Sequence, residues 1–201
     1  MSPQNFSIQD IVEKFALWLD DAKKHPHIKE YNAFNLATCD SNSKPSNRIV
    51  LLKDFSQNGF TFYTNHQSQK GQQILKNPDI SMCFYWDPLG RQVRIEGKAR
   101  PIAEKKSDAY FNSRDYRSRI GACISKQSSE VESYGELKMI FAKELAKVTF
   151  KSKIKRPSHW GGFELIPNYF EFWQLGEFRI HKREVYKRQA NDQFSQHFLY
   201  P

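Results

Sequence analysis

The stretch from Arg48 to Gly71 constrains the fold of this chain more than any other segment. It opens with Ile49 to Leu52, an aliphatic run that favours a β-strand. Asn58-Gly59 is a strong β-hairpin signal because both residues tolerate a positive φ. Phe60 to Thr64 then alternates as a half-buried strand does. We therefore expect these two strands to form a hairpin, followed by a polar loop that opens a helix.

Polar and cationic side chains stand at the ends of these elements. Arg48 and Lys53 bracket the first strand, and Ser68 to Gly71 lead into the helix. Hydroxyl, amide and ammonium groups beside a helix N-terminus suit a phosphate. The segment therefore predicts a phosphate site, although each of these cations taken alone is more typical of a solvated surface.

Composition narrows the class of protein. The 201 residues suffice for one substantial domain, and the 14% aromatic content suits a β-rich core. No apolar run reaches the roughly 18 residues of a membrane span. Met1 to Asp10 lacks the apolar core of a signal peptide, so we expect a cytoplasmic protein without a membrane partner.

Charge and cysteine usage limit the partners. The net charge of +9 fits binding of phosphorylated small molecules, binding of nucleic acid, or a basic surface without a specific role. Most of the lysines and arginines are scattered, so we expect no nucleic-acid partner. Cys39, Cys83 and Cys123 are widely spaced, which argues against a disulfide framework or a zinc site; we expect no metal.

The rest of the chain alternates short strands with helices. Apolar residues at helical spacing predict a helix from Ser7 to about Lys24, which Ser7 or Asp10 can cap. Further helices are expected over 71–77, 103–113 and 130–147. Strands are expected over 32–40, 48–53, 60–64, 80–86, 91–99, 163–166, 169–173 and 184–187. This meander predicts an α+β fold, an antiparallel barrel with helices packed on it.

Many short motifs occur in an order that resembles one family. They are Arg48 to Lys53, Phe62 to Asn65, Ser68 to Gly71, Phe84 to Trp86, Arg91 to Gly97, Tyr110 to Arg114, Ser118 to Ala122, Ser125 to Ser128, Trp160 to Gly162, Glu171 to Gln174 and Arg179 to His181. Together they resemble the pyridoxine 5′-phosphate oxidases, which are FMN enzymes. The resemblance implies a split β-barrel with peripheral helices, formed as a homodimer with FMN in clefts between the subunits. Residues 1–30 would be a helix packed on the barrel, and residues 31–201 a single FMN-binding domain that includes a C-terminal dimerisation region.

The resemblance also implies the residues that bind the cofactor. The positions that match FMN-binding positions are Arg48, Ile49, Val50, Leu51, Leu52, Lys53, Tyr63, Thr64, Gln69, Lys70, Gln92, Gln127, Ser128, Trp173 and Arg183. Trp173 and Arg183 are expected to reach the flavin of the other subunit. Basic and hydroxyl side chains suit the flavin phosphate, and amides suit the edge of the ring system.

Substrate and catalytic positions follow in the same way. The residues that match the substrate phosphate site are Lys53, Tyr110, Arg114 and Ser118. Arg179 and His181 match the catalytic pair over the substrate ring, with Arg179 positioning the substrate and His181 contacting it or handling a proton. The implied reaction moves a hydride from C4′ of pyridoxine or pyridoxamine 5′-phosphate to flavin N5. Oxygen then reoxidises the flavin and hydrogen peroxide leaves.

Three departures from the family pattern keep alternatives open. Gln69 stands where the family usually has arginine, Lys182 where it usually has aspartate, and the last four residues lack the usual arginine. The alternatives are a related flavin oxidase acting on another substrate, such as a phenazine precursor, and a non-catalytic binder of FMN or pyridoxal phosphate. The motifs give no role to His66, His159 or His197, and we expect these histidines to be structural or solvated.

Overall fold

The computed structural model describes residues 5–147 and 154–201. The strands in this part of the chain are β1 (Asn5–Phe6), β2 (Ala33–Cys39), β3 (Pro45–Leu51), β4 (Asp54–Ser56), β5 (Gly59–Asn65), β6 (Asp79–Trp86), β7 (Arg91–Pro101), β8 (Trp160–Gln174), β9 (Lys182–Arg188) and β10 (Phe194–Leu199). The helices are α1 (Ile8–Lys24), α2 (Gln69–Lys76), α3 (Glu104–Ser113), α4 (Tyr116–Ile124) and α5 (Tyr134–Lys147). The α+β class predicted from the sequence is confirmed.

The strands form one antiparallel sheet that branches at β8. Along its main path the order is β1-β10-β9-β8-β7-β6-β2-β3, while β5 pairs with β4 and with the first half of β8. The second half of β8 pairs with β9, and β7 follows β8 along most of its length. No ladder joins β3 to β5 among the described strands, so the barrel is not closed. This split, antiparallel arrangement is the fold that the resemblance implied.

The expected hairpin between 48–53 and 60–64 is wrong in one respect. The Asn58-Gly59 turn forms, but it joins β5 to the short strand β4, whereas β3 pairs with β2. The chain leaves β3 at Leu52, which is buried in the core and whose N–H donates to the carbonyl of Asn32 at 2.8 Å. This bond continues the β2–β3 ladder by one residue, and the next residue, Lys53, donates its N–H to the carbonyl of Thr61 in β5 at 2.9 Å. The chain therefore changes partner at Leu52, and β4 is the strand that pairs with β5.

The turn itself needs its glycine. Gly59 has a φ of 146°, and a Cβ there would lie 2.6 Å from the carbonyl oxygen of Leu165. A second difference from the expectation concerns 163–166 and 169–173, which are one strand, β8, with a register shift opposite Glu96 and Gly97. The shift keeps one continuous strand despite Pro167, since bulges tolerate proline.

Helix α1 covers one end of the core. Ser7 caps it, because its Oγ accepts the N–H of Asp10 at 3.2 Å while the Asp10 carboxylate accepts the N–H of Ser7 at 2.8 Å. Phe15 is fully buried and meets Phe55 and Phe60 edge to face at 5.1 Å. Such aromatic pairs contribute about 0.5–1.5 kcal/mol beyond their burial. No helix in the described residues is long and apolar enough to cross a membrane.

Candidate active site

One cavity of about 880 Å³ lies between strands β3 and β5, the start of α2, and helices α3 to α5. This volume is in the range of cofactor and small-molecule sites. The cavity brings together residues that are far apart in sequence. Those among its lining that the sequence predicted as site residues are Ile49, Val50, Leu51, Lys53, Tyr63, Thr64, Lys70, Tyr110, Arg114, Ser118 and Gln127.

A buried ammonium group lies at the end of the cavity formed by β5 and α2. Lys70 is 8% exposed, and its Nζ lies 3.2 Å from Oγ1 of Thr64. Burial and the neighbouring Arg48 lower the pKa of Lys70. No carboxylate pairs with Lys70 in the part of the chain that the structure describes. A desolvated cation without a counter-ion suits an anionic ligand.

Arg48 lies behind this lysine and does not line the cavity. Its guanidinium donates to Oγ1 of Thr38 at 2.5 Å and to Oγ of Ser46 at 2.8 Å. Burial lowers the pKa of Arg48. Both partners are neutral, so Arg48 adds positive potential to the Lys70 end without itself being neutralised.

The loop that leads into α2 is held by side-chain and backbone contacts. Ser68 caps the helix, with its Oγ accepting the N–H of Gly71 at 3.3 Å. The N–H of Gln69 donates to Oγ of Ser128 at 3.2 Å, which ties loop 125–129 to the helix start. The side chain of Gln69 is exposed and does not line the cavity. The contact between Gln69 and Ser128 is therefore made by the backbone of Gln69 and the side chain of Ser128.

A second cationic group lies at the wall formed by α3, α4 and β8. The guanidinium of Arg114 lies 4.7 Å from the ring centroid of Trp160. Its Nη1 is buried and has no hydrogen-bond partner, and burial lowers the pKa of Arg114. The adjacent Asp115 lines the same cavity and opposes this shift in the pKa of Arg114 through its charge, while its carboxylate caps α4 by accepting the N–H of Ser118 at 2.9 Å. Lys53 lines the same cavity.

Stacked aromatic rings form one wall between the two cationic groups. Tyr63 stacks on Tyr110 with ring centroids 4.0 Å apart, and on Trp160 at 5.4 Å. Burial, followed by the neighbouring Tyr110, raises the pKa of Tyr63. The wall therefore presents uncharged phenols and an indole, surfaces that suit a flat ring system.

The remaining predicted residues lie elsewhere. Those that do not line the cavity are Arg48, Leu52, Gln69, Gln92, Ser128, Trp173, Arg179, His181 and Arg183. Gln92, Trp173 and Arg183 are register neighbours across β7, β8 and β9. Arg183 donates to Glu171 at 2.7 Å and to the carbonyl of Tyr200 at 3.1 Å. These three residues therefore form a second cluster on the C-terminal half of the sheet.

Arg179 and His181 belong to the loop between β8 and β9, beside this second cluster. The N–H of Gly176 donates to Nδ1 of His181 at 3.3 Å, so the neutral imidazole carries its proton on Nε2. Phe178 and Arg179 both have a left-handed backbone, with φ of 52° and 64°. Two such non-glycine residues in succession store strain, which is typical of functional loops.

Sequence reasoning gave no role to several cavity residues. Trp160 belongs to a quoted motif, and its contact with Arg114 crosses 46 positions that no local pattern links. Asn65, Asp115, Arg117 and Phe141 also line the cavity. Asn65 lies within a quoted motif, and Asp115 and Arg117 lie between two of them, but Phe141 lies outside every motif and had no such signal.

Comparisons with known proteins give a consistent result. The family model described as pyridoxamine 5′-phosphate oxidase matches residues 21–149. The model described as the pyridoxine 5′-phosphate oxidase C-terminal dimerisation region matches residues 160–201. A pyridoxine/pyridoxamine 5′-phosphate oxidase from Pelagibacter ubique is 44% identical over 96% of this chain and 92% of its own. A pyridoxine-5′-phosphate oxidase from Bos taurus is 44% identical over 89% of this chain and 68% of its own.

Two solved structures share the fold. PhzG from Burkholderia lata 383, in complex with tetrahydrophenazine-1-carboxylic acid, is 27% identical, with a TM-score of 0.85 over 97% of this chain and 93% of its own. A pyridoxamine 5′-phosphate oxidase-related, FMN binding protein from Nostoc punctiforme is 18% identical, with a TM-score of 0.74 over 94% of this chain and 96% of its own. The second likeness establishes the split-barrel fold alone.

Proposed function

The chain belongs to the pyridoxamine 5′-phosphate oxidase family, and we propose that it uses FMN to oxidise pyridoxine or pyridoxamine 5′-phosphate to pyridoxal 5′-phosphate. Family membership confirms the resemblance found in the sequence. One observation supports the assignment most strongly: a single cavity is lined by Lys70, which pairs with no carboxylate among the described residues, and by Arg114, whose Nη1 is buried without a hydrogen-bond partner. FMN and the substrate each carry one phosphate monoester, so the cavity can take both.

The Lys70 end fits the cofactor phosphate. Lys70 and Thr64 would contact it directly, with Arg48 supplying further positive potential and Ser128 fixing the loop. Strand β3 is the free edge of the sheet, and Ile49 to Leu51 line the cavity, so unpaired backbone groups there can meet the edge of the flavin ring. When bound, FMN supplies the two-electron acceptor; the chain binds and orients it.

The Arg114 end fits the substrate phosphate. Arg114 and Lys53 provide charge, and Tyr110 and Ser118 provide hydroxyl groups at the same cavity. The phosphate is remote from the reacting carbon, so these contacts hold the substrate in place and fix its orientation. Tyr63 and Tyr110 close the wall beside the ring and limit access of water.

A second copy of the chain would complete the site. Arg179, His181, Trp173 and Arg183 do not line the cavity of their own chain, and they lie in the region matched by the dimerisation model. We propose a homodimer with FMN at the subunit interface, in which these residues reach the partner's cavity. His181, with its proton on Nε2, would donate a hydrogen bond to the substrate, and Arg179 would provide electrostatic support.

The unit that binds FMN is proposed to be residues 31–201, with residues 1–30 packed on it. The edge-to-face contacts of Phe15 with the barrel support this division. Free cysteines support the cytoplasm as the proposed location.

The test is turnover by purified protein loaded with FMN. Pyridoxine and pyridoxamine 5′-phosphate should both yield pyridoxal 5′-phosphate, with oxygen consumed and peroxide formed. Pyridoxine without its phosphate should be a poor substrate because the Arg114 end would remain unfilled. Protein that binds FMN but oxidises neither phosphate ester would contradict the proposal and support a non-catalytic binder.

A second candidate is a flavin oxidase that acts on a phenazine precursor. The observation in its favour is the TM-score of 0.85 with PhzG. The cationic group at Arg114, together with the 44% identity to the oxidases from Pelagibacter ubique and Bos taurus, favours the phosphorylated substrate instead. Oxidation of a reduced phenazine carboxylic acid with higher kcat/KM than pyridoxine 5′-phosphate would reverse this order.

A further inference from the structure

We propose that Trp160 is a positioning residue for the substrate phosphate, acting through the guanidinium of Arg114. This inference rests on the proposed function and extends it to a side chain that the sequence left without a role. The face of the indole lies 4.7 Å from the guanidinium carbon, within the range of a cation–π contact.

The indole is itself firmly placed. Trp160 is 6% exposed and lines the cavity. Phe111 meets it edge to face at 5.3 Å, and Tyr63 stacks on it at 5.4 Å. Its backbone N–H donates to the carbonyl of Pro157 at 3.0 Å, and its carbonyl accepts from Arg156 at 2.6 Å. The ring therefore offers Arg114 a fixed surface.

Arg114 has few other restraints. It follows α3, where its backbone N–H bonds to the carbonyl of Phe111 at 3.3 Å, and its Nη1 lies buried without an acceptor. The nearest carboxylate in sequence, Asp115, accepts the N–H of Ser118 at the start of α4 and acts on the guanidinium through its charge. An indole face attracts the guanidinium without accepting its N–H bonds in the plane. The cation is thus held in place while its hydrogen-bonding capacity remains for a phosphate.

This arrangement predicts a specific kinetic signature. The phosphate is bound equally in the ground state and in the transition state, so a loosened Arg114 weakens both. KM for pyridoxine 5′-phosphate should rise while kcat stays unchanged. A purely structural role for Trp160 would instead lower the amount of active protein or kcat.

Two substitutions at Trp160 and one control separate these outcomes. Trp160→Leu should raise KM by about 2- to 30-fold, the range that corresponds to a cation–π contact. Trp160→Phe keeps an aromatic face and should recover most of the loss. The control is Trp86→Leu, since Trp86 is also buried but does not line the cavity. It should lower stability without raising KM.

A double-mutant cycle with Arg114→Met tests the coupling. Affinity for pyridoxal 5′-phosphate, measured by calorimetry on FMN-loaded protein, gives a readout other than turnover. In the Arg114 protein, Trp160→Leu should weaken this affinity strongly and Trp160→Phe only slightly. In the Arg114→Met background both variants should have little effect. Equal losses in the two backgrounds would overturn the inference.

Failure of this inference and failure of the proposed function look different. If wild-type protein binds FMN but neither oxidises pyridoxine 5′-phosphate nor binds pyridoxal 5′-phosphate, the proposed function fails. If the wild type does both and the Trp160 variants keep its KM and its affinity, only the role of Trp160 fails.

Discussion

The imidazole ring of His181 packs against the indole ring of Trp173, with the two ring centroids 4.8 Å apart. The backbone N–H of Gly176 fixes the same imidazole through Nδ1. A Cβ on Gly176 would lie 2.0 Å from the carbonyl oxygen of Ile180, so the loop closes tightly at this point. The contacts leave Nε2 as the ring nitrogen that can reach a ligand.

Two substitutions of His181, each of which places an amide near one of the two ring nitrogens, should therefore differ in activity. In His181→Gln the amide lies near the former Nε2, and in His181→Asn it lies near the former Nδ1. We expect kcat/KM of His181→Gln to be about tenfold higher than that of His181→Asn, a difference that corresponds to one hydrogen bond to the substrate. Steady-state kinetics with pyridoxine 5′-phosphate measures the difference. Equal activity of the two variants would show that Nε2 makes no productive contact.

Replacement of Lys70 should weaken FMN binding without destabilising the protein. Loss of a charge-assisted hydrogen bond to the flavin phosphate predicts a rise in Kd of about 10- to 100-fold for Lys70→Met. Burial disfavours the ammonium, so the free energy of unfolding of the FMN-free variant should be unchanged or higher. Quenching of FMN fluorescence on titration gives Kd. Lys76→Met, on the exposed end of the same helix, is the matched control and should bind FMN as the wild type does.

Glu184 should make the stability of the protein sensitive to acid. Burial by itself raises the pKa of Glu184, but hydrogen bonds from Lys14, Tyr186 and Lys182 outweigh it and lower the pKa to about 2. The unfolded pKa is near 4.5, so this stabilisation is complete above that pH and is lost as pH falls toward 2.

The variant Glu184→Gln tests this contribution. It should lower the free energy of unfolding by roughly 3 kcal/mol at pH 7, with the difference from wild type vanishing at low pH. Denaturant unfolding at a series of pH values measures it. Glu30→Gln, at an exposed position, should change little at any pH. A Glu184→Gln deficit that stays constant down to pH 2 would rule out a contribution from ionisation.

His66 should destabilise the fold in mild acid. Burial, then the nearby Arg156 and His159, lower the pKa of His66, and its Nε2 has no hydrogen-bond partner. Below the unfolded pKa near 6.5 the unfolded chain takes up a proton that the folded chain resists, so stability falls until pH drops below the folded pKa.

Removal of the His66 imidazole should weaken the dependence of the free energy of unfolding on pH. His66→Leu should lose less stability than wild type between pH 7 and about pH 5, as thermal or denaturant unfolding would record. His27→Leu, which removes an exposed imidazole, should keep the wild-type profile. The same slope in His66→Leu as in wild type would exclude His66 as its source.

Much of the fold could be predicted because its signals are local. The Ser7 cap, the Asn58-Gly59 turn and the strand over 91–99 each depend on neighbouring residues, and each is found in the structure. The pairing of β3 with β2 was expected from the turn at 40–45 and is confirmed, but the expected pairing of β3 with β5 is wrong. Nothing local indicates that the chain changes partner at Leu52, whose N–H still bonds to Asn32 while the N–H of Lys53 bonds to Thr61.

The candidate site could be predicted from the sequence less completely than the fold. Thr64 and Lys70 are six positions apart and meet in space, so a local pattern can bring them together. Arg114 and Trp160 are separated in sequence by helices α4 and α5. Their contact depends on packing that no local motif encodes. The cluster of Trp173 with His181 does not line the cavity of its own chain, and only the family resemblance, not a local pattern, indicated that Trp173 reaches a partner subunit.

The most direct test of the account mixes FMN-loaded protein with pyridoxine 5′-phosphate in the absence of oxygen. We expect the visible absorbance of the flavin to bleach, pyridoxal 5′-phosphate to form in equal amount, and admitted oxygen to restore the colour. Pyridoxine without the phosphate should bleach the flavin far more slowly. A flavin that remains oxidised in the presence of saturating pyridoxine 5′-phosphate would contradict the account.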